Sequence, residues 1–139
     1  MKFKLTLLWL NIVMFTVFGL YFILAPASAA QSFIGAVPAD TNLMIDMRAT
    51  YGGLSLAVGL FLADCLLRQK AVQAGLLLSL LIFVCLTVAR AAGVMTAPSP
   101  SGMMYQSLTL EVVMTILFAL ALVIKPAANK TVDRTGPRP

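Results

Sequence analysis

Histidine is absent from this 139-residue chain. That removes the commonest general base, the commonest transition-metal ligand and the usual haem ligand. Cysteine is scarce. Cys65 and Cys85 both fall inside apolar runs and form no CxxC pair, so neither a disulfide framework nor a thiolate metal site is expected. No metal and no cofactor enter the reading. Charge is scarce as well: 11% of residues are charged, against about a quarter in soluble domains. A chain this short must keep most of its surface polar in water, and these charges are too few to do so. What is abundant is apolar, with 60% hydrophobic residues and a mean hydropathy of +0.96. The bilayer is the natural solvent for such a chain.

The net charge of +5 does not point to nucleic acid. Eight of the ten basic residues flank apolar runs: Lys2 and Lys4, Arg68 and Lys70, then Lys125, Lys130, Arg134 and Arg138. They form no patch interleaved with aromatics and read instead as topology signals. The apolar runs cover roughly residues 5–24, 49–67, 71–95 and 105–124. Each is long enough for a helix across about 30 Å of hydrocarbon. Four such runs cannot close a β-barrel. The expected fold is all-α, an integral membrane four-helix bundle over residues 1–125 with a polar tail at 126–139. The positive-inside rule places both termini and the "RQK" loop in the cytoplasm.

The connections are short except the first. "TAPSPSG" joins the third and fourth runs, and its prolines and glycine forbid helix continuation. In the first connection, Asp40 or Thr41 can cap a helix that starts before the membrane and continues through Arg48. Upstream lies "ILAPASAAQS", where Ala27-Ser28-Ala29 has the small-x-small form of a signal-peptidase site. The preceding span is longer than an export signal's apolar region of about 7–15 residues. It also holds Asn11 and Gly19, which suit a packed helix. The first helix is therefore expected to stay, with Pro26 ending it.

Ionisable residues inside apolar spans are costly and call for partners. Arg48 opens the second span, Arg90 lies late in the third and Glu111 early in the fourth. Helical rise puts Arg90 and Glu111 within about 6 Å of the same depth, which an Arg side chain can bridge. All three are expected in one leaflet, with Asp46 just outside. Polar neighbours share their faces: Thr87 with Arg90, Ser107 and Thr115 with Glu111, and Gly52 with Arg48. A structural ion pair between Arg90 and Glu111 and a pocket for a small anionic ligand are both compatible with this pattern. Asp64 and Arg68, four residues apart, read as a local pair. Small residues recur at Ala49, Gly53 and Ala57, and again at Ser55, Gly59 and Ala63, which favours close helix packing. Five methionines gather on the outer side, without a repeated motif that would mark a copper site.

The elements Arg48, Tyr51, Gly52, Gly53, Arg90 and Glu111 resemble a bacterial family of small four-span inner-membrane proteins of unassigned function. That family is broadly similar in architecture to DoxX-like proteins. The resemblance implies a retained first helix and no reaction. Three functions remain open. The first is an accessory subunit or binder of a small or lipid-like ligand, with a membrane protein or a second copy as partner. The second is a proton- or anion-coupled transporter using Arg48, Arg90 and Glu111. The third is a membrane isomerase or reductase with Glu111 as acid or base.

Overall fold

A computed structural model describes residues 2–68 and 71–124. The expected polar tail at 126–139, and Gln69 and Lys70 of the RQK loop, lie outside the described residues. The regular structure of the described residues is all helical: α1 (Lys2–Leu24), α2 (Pro26–Phe33), α3 (Thr41–Met47), a π-helical turn (Arg48–Gly53), α4 (Leu54–Leu67), α5 (Val72–Thr96) and α6 (Gly102–Val123). Because α3, the π turn and α4 run on continuously, four helices are long and apolar enough to cross a membrane: 2–24, 41–67, 72–96 and 102–123. The protein is an all-α, multi-pass membrane protein, as its apolar runs require.

Pro26 ends α1 as expected, but it also starts something new. Proline at the first helical position needs no amide partner. Ala25 leaves the helical region (φ −137°, ψ 63°) and α2 follows at once. "ILAPASAAQS" is thus the end of α1 and most of α2. Ala29 and Ala30 are fully buried and pack with Phe22 and Met47, so the small side chains that mimic a cleavage site let α2 lie close to the bundle. Past α2 the chain turns at Gly35, whose φ of +82° a side-chain-bearing residue rarely adopts.

Asp40 caps α3, its Oδ1 accepting from the amides of Asn42 at 2.7 Å and Leu43 at 3.2 Å. Asp40→Ala is expected to cost about 1 kcal/mol and to speed amide hydrogen exchange in residues 41–45. Unchanged exchange there would mean the cap contributes nothing.

The helices succeed one another antiparallel, in two intimate pairs. The first is α1 against the π turn and α4. Gly19 lies against Gly52 and Leu56, and Gly59 lies against Thr16. The contact face is therefore Gly52–Leu56–Gly59, whereas Ala49, Gly53 and Ala57 face outward. The π turn sets Arg48 apart from this face. Leu54 N–H bonds to Ala49 O, five residues back, and one inserted residue rotates the flanking faces by about 100°.

The second pair is α5 with α6, and α1 seals both pairs at the centre. Going along the inner face of α5, the layers are Gly75 beside Cys65 and Leu8, Ser79 with Asn11, Phe83 with Phe118, Thr87 with Thr115, and Arg90 with Glu111. Asn11 Nδ2 donates to Ser79 Oγ at 2.7 Å, and Ser79 Oγ donates to Gly75 O at 2.8 Å. Asn11 thus bonds across from α1 to a serine on α5. The main apolar core joins Leu7, Leu76, Phe83, Met114, Phe118 and Ala121. Both cysteines are free, Cys65 buried and Cys85 exposed.

Candidate functional site

At the end of the bundle that carries the 25–40 and 97–101 connections, Arg90 of α5 reaches Glu111 of α6. Nε donates to Glu111 Oε1 at 2.8 Å, and Nη2 lies 2.7 Å from the same oxygen. The carboxylate side chain is only 7% exposed and the guanidinium side chain 28%. Glu111 is thus sealed while Arg90 keeps an open side. Its third nitrogen, Nη1, donates to the thioether sulfur of Met104 at 3.4 Å, a weak acceptor.

The pair is supported from beneath. Thr115 Oγ1 donates to the main-chain oxygen of Glu111 at 2.8 Å, and the Thr87 and Thr115 hydroxyls lie 3.4 Å apart. Phe83 and Phe118, stacked at 5.7 Å, close the core in the next layer. One polar atom in this arrangement is unsatisfied: Glu111 Oε2 is buried and has no hydrogen-bond partner. Such buried orphan acceptors are rare in folded proteins and call for an explanation.

Beside the pair lies a cavity of about 390 Å³, lined by Leu86, Arg90, Gly93, Val94, Pro100 and Met104 among others. Among the described residues Arg90 is its only charged lining residue, and the remaining walls are mainly apolar. A cation lining an apolar groove is chemically matched to an anionic amphiphile.

The site is narrower than the sequence pattern anticipates. Arg90, Glu111, Thr87 and Thr115 come together, with half-buried Ser107 one turn before Glu111. Arg48 and Asp46 do not join them. Arg48 is exposed and makes no ion pair among the described residues, and Asp46 accepts from its neighbour Thr50 at 3.3 Å. Both stand on the α1–α4 side of the bundle, and the π turn swings Arg48 off the buried face of Gly59. Tyr51 stacks on Phe22 at 5.2 Å. Gly52 is packed against α1, while Gly53 is exposed. Asp64 pairs with Arg68 at 2.9 Å on the surface, where such a pair adds little stability. Met104, Gly93 and Pro100 enter the site without a strong sequence signal, although Gly93 sits three residues after Arg90 on the same helix. No group of three or more acidic or cysteine side chains gathers as a metal-ligand set among the described residues.

Taken together, the four apolar helices and the interior Arg–Glu pair define a small multi-pass membrane protein with one polar site inside the α5–α6 pair. A family model described as a domain of unknown function (DUF4345) matches residues 3–122, and the chain belongs to that family. The match takes in α1, so the first helix is part of the shared domain. No curated protein and no solved structure matches the chain.

Proposed function

We propose that this protein is a non-enzymatic binder of an anionic, lipid-like molecule, held at the α5–α6 groove with Arg90 as its headgroup anchor. The observation that carries the reading is Arg90 itself: a single cation lines an otherwise apolar cavity, and one of its nitrogens is engaged only by a thioether. An anionic oxygen is a far better acceptor than sulfur and would displace Met104 from Nη1. The stacked rings of Phe83 and Phe118 fill the layer beneath Glu111, so the groove lies beside the pair rather than below it. The same reading sets the protein in a bacterial inner membrane with both termini in the cytoplasm, where the groove faces the outer leaflet. A second copy or a membrane protein partner can then take the ligand from it, which makes it an accessory subunit.

Gly93 supplies the test. A Cβ built there meets no atom within 4 Å, so a larger side chain fits without disturbing the helix. A fluorescent long-chain sulfonate in phosphatidylcholine nanodiscs is expected to bind wild type and to bind Gly93→Leu at least about tenfold more weakly, because the new side chain fills the groove. Equal binding by both proteins would remove the groove as the site.

A further inference from the structure

The groove reading accounts for Arg90 but leaves Glu111 Oε2 unexplained. Both guanidinium contacts fall on Oε1, and Oε2 is buried with nothing to accept from. Charge at this position is otherwise balanced locally. Among the titratable groups of the elements packed against α6, α5 brings Arg90 and the exposed Cys85, and α1 brings Lys2, Lys4 and Tyr21. The Tyr21 hydroxyl lies 3.4 Å from Ser32, and no ion pair to Glu111 other than that of Arg90 exists among the described residues. On α6 itself the remaining titratable side chain is Tyr105, exposed nearly two turns away.

We propose that Glu111 Oε2 is a proton-binding site coupled to the anion site on Arg90. This inference rests on the binding role proposed above. With Glu111 ionised, the carboxylate on Nε and Nη2 offsets the guanidinium charge that an anion approaching Nη1 would meet. A proton placed on Oε2 neutralises the carboxylate without displacing either contact on Oε1. The full positive charge of Arg90 then becomes available to the groove. Proton and anion therefore favour each other, and by linkage each strengthens the other's binding by the same factor. The sign is fixed: the anion binds more tightly as pH falls, and its binding draws a proton from solution.

The sulfonate probe is suited to the test because its own charge stays constant across the range. Wild-type affinity is expected to rise about tenfold from about pH 8 to about pH 5, within the usual span of such couplings. Glu111→Gln, permanently neutral, should bind at every pH about as tightly as wild type at the acidic end. Proton uptake on adding the probe to wild type in weakly buffered solution gives a second readout that needs no variant. A flat wild-type profile with no proton uptake overturns the coupling while leaving the binder reading intact. A wild-type profile shared by Glu111→Gln also overturns it. Absence of probe binding at any pH instead overturns the binder reading on which the coupling rests.

Discussion

Replacing Arg90 with methionine should cost about 3 kcal/mol of stability, the lower end of what is lost when one partner of a buried ion pair is removed. The cost comes from Glu111, whose side chain is 7% exposed and would be left with a buried, uncompensated carboxylate. Arg90 is itself partly open to its surroundings, so its own desolvation contributes less. In detergent this corresponds to a fall of about 10 °C in unfolding temperature. The double variant Arg90→Met with Glu111→Leu is expected to recover most of that loss, since an apolar pair of similar volume avoids the desolvation penalty altogether. Thermal unfolding of the three proteins checks both statements. A single variant as stable as wild type would show that Glu111 does not depend on Arg90.

The second large effect is expected at the α1–α4 contact. A Cβ on Gly19 would sit 2.6 Å from Leu56 N and 2.9 Å from Gly52 O. Both are backbone atoms on the facing helix, so no side chain can rotate away and the helices themselves must separate. Gly19→Ala should lose about 3 kcal/mol, at the upper end of ordinary overpacking. Gly52→Ala should also be destabilising, because its Cβ would meet Ile23 Cγ1 at 2.7 Å and the Ile23 backbone nitrogen at 3.0 Å. Gly53→Ala is the informative comparison. It lies next to Gly52 in the same Tyr-Gly-Gly stretch, yet its nearest neighbour is Arg48 O at an ordinary 3.9 Å. It should be neutral or gain up to about 1 kcal/mol from improved helix propensity. Equal losses at Gly52 and Gly53 in thermal unfolding would contradict the assignment of the packing face.

This pair of neighbouring glycines shows where sequence reading stops. Charges in apolar runs stand out, and helical rise fixes their depth, so the partnership of Arg90 with Glu111 is legible from spacing alone. The same holds for the Asp40 cap, because its acceptor sits immediately before a helix. The π turn is not legible in this way. Its inserted residue takes Arg48 off the face that Gly52 and Gly59 share, so Gly52 packs inward while Arg48 stays exposed. The short helix α2 is hidden for a related reason: Pro26 signals the end of one helix, and the same residue is well suited to begin another. Asn11 advertises a need for a partner, but only the packing of α1 on α5 chooses Ser79. The groove itself depends on Met104 and Pro100 folding back beside Arg90, a tertiary arrangement with no local pattern.

The central claim is that an anionic amphiphile seats in this groove rather than spreading over the apolar surface. Photo-crosslinking with a chain-labelled, photoreactive alkyl sulfonate in nanodiscs, followed by peptide mapping, tests it most directly. The predicted result is adducts concentrated on Leu86, Gly93, Val94 and Met104, and greatly reduced in Gly93→Leu. Adducts spread evenly over exposed helix faces, at residues such as Leu60, Ile116 and Val123, with no response to Gly93→Leu, would contradict it.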